Sequence, residues 1–177
     1  MFSDLQEQIE LIVYNNFSFA NKVGLESALR KVVQLSPGTA GRKELMALAA
    51  NAGMVEDSFL LELLAGAVDH HDWDAVETLA RPLELCACAS LMRKRFAPHA
   101  TEMVEAFLRG RVVWEIEQLC DTVERKNDHA FYMAYVVGAN PKPPSDLLHF
   151  LRARIEKMVL LEALEDTPQA PLSVRKI

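Results

Sequence analysis

Residues 56–80 decide the fold: Glu56-Asp57-Ser58-Phe59-Leu60-Leu61-Glu62-Leu63-Leu64-Ala65-Gly66-Ala67-Val68-Asp69-His70-His71-Asp72-Trp73-Asp74-Ala75-Val76-Glu77-Thr78-Leu79-Ala80. Phe59, Leu63 and Ala67 step by four beside Leu60, Leu64 and Val68, while Glu56, Asp57, Glu62 and Asp69 mark a polar side. An α-helix turns those two rows into one apolar stripe. Asp72 is a good N-cap, because its carboxylate can accept a bond from a first-turn N–H, and Trp73, Val76, Leu79, Ala80 and Leu83 carry the next stripe. Two antiparallel helices joined at His70 and His71 follow. A lone hairpin cannot bury its own stripe, so other segments must supply the opposing surface.

Those segments carry the same period. Ser3 and Gln6 have the spacing of a capping box, opening a helix on Leu5, Ile9, Ile12 and Val13. The β-branched and aromatic residues around Asn15-Asn16 leave a short hairpin over 11–19 as a rival to helix there. A second helix is expected from about Gly24 to Gln34, ended by the Pro37, Gly38 and Gly41 cluster, and a third over Arg42 to Ala52, closed by Gly53. Pro82 suits the first turn of a further helix reaching Phe96, or a kink in a continuous one. Thr101 can cap a short helix on Met103, Val104, Phe107 and Leu108. Beyond Gly110, a run from Val112 to Val123 precedes a separate apolar segment, Ala130 to Val137, capped by Asp128. Asn140-Pro141-Lys142-Pro143-Pro144 reads as a stiff connector, with Ser145 as the cap of a last helix from about Asp146 to Glu165.

The expected fold is all-α, a compact multi-helix bundle of stacked antiparallel hairpins with about eight to ten helices. It occupies 1–165 as a single domain, with 166–177 as a loose tail. The stretch from His71 to Glu77 resembles the turn of a tetratricopeptide hairpin, but Pro82 falls where that family places a small helical residue, and no second copy follows at its period. The bundle therefore joins no named repeat family.

A chain of 177 residues that is 50% hydrophobic can bury a substantial core. Its net charge of −6 opposes attraction to phosphate backbones and anionic lipid. The N-terminal Met-Phe-Ser-Asp-Leu-Gln-Glu-Gln has neither the basic nor the apolar region of a secretory signal, and no apolar run approaches the roughly 20 residues of a membrane span. Three cysteines, Cys86, Cys88 and Cys120, suit reduced thiols better than a disulfide framework. The expected location is cytoplasmic.

His70-His71-Asp72 resembles the His-Asp doublet of HD-domain phosphohydrolases, a resemblance that implies a metal-dependent helical hydrolase. That family also needs an upstream histidine, and none precedes His70. A polar turn capped by Asp72 is the plainer expectation. Cys86 and Cys88, two residues apart on a helix, would point about 200° apart and share no ion. His99, His129 and His149 stand singly, and Asp146 with His149 is one isolated copy of an element that di-iron bundles need twice. Gly38-Thr39-Ala40-Gly41-Arg42-Lys43 places cations at a helix start, where an anion could bind, but lacks the spacing of a phosphate-binding loop. No nucleophile elbow is present. Arg93-Lys94-Arg95, extended by Arg109 and Arg111 if the chain folds back, is a true basic cluster and the basis of a nucleic-acid-binding alternative. Cations in a last helical turn already have a partner in the helix dipole.

What remains is surplus apolar surface. Met158, Val159, Leu160, Leu161 and Leu164 lie almost all round the last helix, and Ile9, Leu11, Ile12 and Val13 crowd the first. Either these helices are threaded through the fold or packed on one another, or they meet another protein. The sequence thus points to a non-enzymatic protein–protein interaction module, such as an adaptor, secretion-type chaperone or regulatory binding subunit. Its docking surface would be Met158, Val159, Leu160, Leu161 and Leu164, with Arg93, Lys94 and Arg95 steering an acidic partner. No cofactor or metal is expected, the partner is another protein or a second copy, and nucleic acid and membrane are disfavoured.

Overall fold

The computed structural model describes residues 2–15, 19–96, 100–139 and 146–166. Among them are nine α-helices, one short 3-10 helix and no strand. The helices are α1 (Phe2–Tyr14), α2 (Phe19–Val33), α3 (Arg42–Ala50), α4 (Asp57–Asp69), α5 (Trp73–Ala80), α6 (Ala89–Arg95), α7 (Thr101–Leu108), α8 (Val113–Val136) and α9 (Asp146–Glu165). The 3-10 helix spans Leu85–Cys88. The chain is a helical bundle in two compact units, Met1–Arg111 and Val112–Ile177.

In the first unit α5 packs on α3, α4 and α7, and α2 on α1, α3 and α4. The α4–α5 hairpin is as expected. Leu60, Leu64, Val76 and Leu79 are buried, each worth roughly 1.5–3 kcal/mol of transfer free energy. The Asp72 carboxylate accepts the Ala75 N–H at 3.2 Å, capping α5. α4 closes with two reaching bonds, from Asp72 N–H to the Ala67 carbonyl and from His71 N–H to that of Val68. This is a Schellman closure, and it holds His71 at φ 56°, a position usually taken by glycine.

Several boundaries differ from expectation, each for a local reason. α1 starts at Phe2, so Ser3 lies inside the helix and is not its cap; the Phe2 ring seats against Gly41. Of the rival hairpin over 11–19, residues 16–18 lie outside the described residues; the others are helical up to Tyr14 and from Phe19, with a bend at Asn15 and no strand among them. α2 begins five residues before Gly24. That glycine is not a boundary, because a Cβ there would meet Ile12 Cδ1 at 3.2 Å where α1 and α2 pass closely. Pro82 lies outside any helix, and Cys86 and Cys88 sit on the 3-10 turn that follows. The carbonyls of Ala80 and Leu83 on either side of Pro82 accept from the Arg111 guanidinium at 2.7 and 3.0 Å. Thr101 is the first residue of α7, whose cap position is Ala100.

The second unit is the antiparallel hairpin of α8 and α9, bridged where Arg152 Nη2 donates to Glu124 Oε1 at 3.1 Å. α8 runs unbroken for 24 residues, so Asp128 caps nothing and Ala130 to Val137 is no separate segment. No glycine or proline interrupts 113–137, and nothing else in that span stops a helix. Ile116, Leu119, Cys120 and Val123 of α8 and Leu147, Leu148 and Leu151 of α9 are buried. The connector 140–144, Ser145 and the tail 167–177 lie outside the described residues. None of the described helices is long and apolar enough to cross a membrane.

Candidate interaction surface

Besides Val112 and Trp114 at its start, the hairpin exposes large apolar side chains in two groups. On the last turns of α8, Phe131, Tyr132, Met133, Tyr135 and Val136, with Val137 just beyond, are 53, 62, 46, 73, 60 and 75% exposed. At helical steps of 100° per residue, these six side chains lie nearly all round the axis. On α9, Val159, Leu160, Leu161 and Leu164 are 49, 64, 51 and 70% exposed, and Met158 is half-buried. That exposure rules out a last helix threaded through the fold. On α1 the surplus divides, with Ile9 and Ile12 in the core and Leu11 exposed.

Sequence reasoning flagged the α9 group and missed the α8 tip, which it took for the stripe of a separate helix. The same signal was available there: Ala130 to Val137 has no polar residue to form a solvent face.

The polar clusters are drawn into structural roles. Arg42, at the start of the glycine-rich loop's helix, is buried, and its guanidinium donates to the Val32 and Val33 carbonyls at 3.2 and 2.7 Å. The same group forms an ion pair with Asp72, with Nη1 donating to Oδ1 at 3.3 Å and Nη2 to Oδ2. One arginine thus satisfies the open carbonyls ending α2 and neutralises the carboxylate capping α5, so it cannot serve an anion at this loop. Asp72 in turn is engaged by Arg42 and the Ala75 N–H. His70 Nδ1 lies 2.8 Å from the Gly66 carbonyl, and the His71 ring stacks on Trp73 at 5.4 Å between centroids.

Arg95 holds Asp69 with two bonds, 2.7 and 3.2 Å, which lifts the guanidinium's pKa and lowers that of the carboxyl. The end of α6 is thereby brought beside the His70-His71 turn. Arg109 donates to Glu77 at 2.7 Å and Arg111 to the carbonyls around Pro82, so both extensions of the basic cluster have structural partners. Lys43 also donates to Glu77, at 3.1 Å. Partial burial pushes the Glu77 carboxyl up, but the hydrogen bonds from Lys43 and Arg109 outweigh it and leave the group below its ordinary range.

Burial pushes the Cys88 thiol up to about 12 and raises that of Cys120, opposing thiolate formation at both. Among the described residues, no three His, Cys, Asp or Glu side chains converge as a metal site would require. His99 lies outside those residues, and His129 and His149 are exposed on α8 and α9.

Comparison with protein-family models, with curated proteins and with solved structures finds no match to this chain.

Proposed function

We propose that this protein is a non-enzymatic interaction module that docks another polypeptide through the apolar surface of its α8–α9 hairpin. The observation that carries the proposal is the concentration of exposed large apolar side chains at the α8 tip and along Val159 to Leu164. Monomeric proteins rarely leave patches beyond roughly 300–600 Å² uncovered without a use for them. Aromatic side chains such as Phe131, Tyr132 and Tyr135 give much contact area for little lost rotamer freedom, as binding hot spots require. Arg93 and Lys94, on the last turn of α6, would steer an acidic partner by long-range attraction.

The test is affinity capture from the native cell with the wild-type chain as bait, beside a bait carrying Leu160→Glu and Leu164→Glu. The proposal expects a partner polypeptide, including a second copy, that the wild type retains and the variant loses. Equal recovery on both baits, or none on either, would overturn it.

A further inference from the structure

The geometry points to a second copy of this chain as the occupant of both apolar surfaces, with two hairpins lying side by side and head to tail about a two-fold axis. This deepens the interaction-module proposal and rests on it. Three observations support it.

The first is register. Glu124 on α8 is level with Arg152 on α9. Counting outward from that bridge along two antiparallel helices, Leu160 comes level with about Ile116, and Leu164 with about Val112. The α8 tip and the α9 group therefore stand at opposite ends of the hairpin. Val112 and Trp114, both exposed, stand at the α9 end of the pair. A two-fold axis across the hairpin inverts the second copy. Phe131 to Val137 of one protomer then lies beside Val159 to Leu164 of its partner, and the reverse contact forms at the other end. One symmetry operation covers both patches reciprocally and closes the assembly at two copies.

The second is shape. The α8 tip is apolar nearly all round, so a flat partner would cover only one of its sides. The inverted α8 and α9 of a second hairpin supply two walls, as helices in a four-helix bundle do.

The third is area. Together the ten side chains present roughly 1,000 Å², on the scale of the ~800 Å² that each partner gives to a standard stable interface.

The experiment is light scattering on the purified full chain over a wide dilution range. The expected mass is twice 19.9 kDa. Tyr135→Glu at one patch, or Leu160→Glu at the other, should each weaken the dimer by on the order of 100-fold, because either places a carboxylate in a dry contact. Both positions are exposed in the single chain, so an unchanged helical circular dichroism spectrum and melting profile separates lost association from lost folding. Orientation is read by oxidising a mixture of Tyr135→Cys and Leu164→Cys chains, with the wild type as control for Cys86. Head-to-tail packing predicts a disulfide between the two unlike chains, above the level formed by either alone.

A monomer at every concentration, a dimer indifferent to both glutamates, or cross-linking only between like chains would overturn the two-fold arrangement. If the protein is monomeric yet captures a different polypeptide in a Leu160- and Leu164-dependent manner, the second copy is excluded while the interaction module stands. If capture also ignores those residues, both fall.

Discussion

Asp72 carries two duties at one side chain, and the outcome of removing it can be stated. Its carboxylate caps α5 through the Ala75 N–H and neutralises the buried Arg42 guanidinium. Asp72→Ala should therefore cost about 3–5 kcal/mol in urea denaturation, because it strands a charge away from water as well as opening a cap. Adding Arg42→Met should recover part of that loss, and a double variant no more stable than Asp72→Ala would contradict the pairing. Gly110 gives a second residue-scale case. It sits at φ 70° with Arg81 Nη1 2.7 Å from where a Cβ would project, and Arg81 donates to its carbonyl at 2.9 Å. Gly110→Ala should cost about 1–2 kcal/mol for the left-handed backbone alone, read from the shift in urea midpoint. The Asp72 cap was legible in sequence because capping is local. The Arg42 pairing was not, since no periodicity links positions thirty residues apart, and a cation after two glycines looks like surface.

At the scale of the element, periodicity located the helices well and their interruptions poorly. α4, α5 and α9 were legible because caps or clear stripes mark them, and the expected bounds of α9 agree with those observed. α8 was divided in two because Asp128 before an apolar run looks like a start signal, yet nothing in 113–136 breaks a helix. This has a measurable consequence. An N-cap aspartate replaced by alanine costs about 1 kcal/mol, whereas inside an exposed helix the same change gains up to about 0.7 kcal/mol. Asp128→Ala should accordingly leave the melting temperature unchanged or raised, and a clear drop would argue for a break there. The exposed apolar surface was half legible. On α9 the apolar residues lie almost all round the helix and mark a surplus, while the α8 tip reads as a separate capped apolar segment, because composition records oiliness and not whether a neighbour covers it.

Across the molecule, charge ties the first unit together in a way that depends on pH. The Glu56 carboxyl is lowered by its hydrogen bond from Lys22, that of Asp69 by Arg95, and that of Glu77 by Lys43 and Arg109 against partial burial. A carboxyl whose folded pKa lies below its unfolded one stabilises the fold above the unfolded value, here 4.5 for the two glutamates and 3.8 for the aspartate. That contribution is lost as pH falls through the folded values. The melting temperature should therefore drop as pH falls below these values, with a shallower slope in Glu77→Gln; equal slopes would deny Glu77 a part. A different consequence follows from Arg42, whose one guanidinium stands among the last carbonyls of α2, the first turn of α3 and the cap of α5. Three helix ends that would each fray independently are joined at a single fastener, so their amide hydrogens should exchange with deuterium through one shared opening. In Asp72→Ala, protection at Leu45, Ala75 and Val76 should collapse in concert while that of α9 stays as it was.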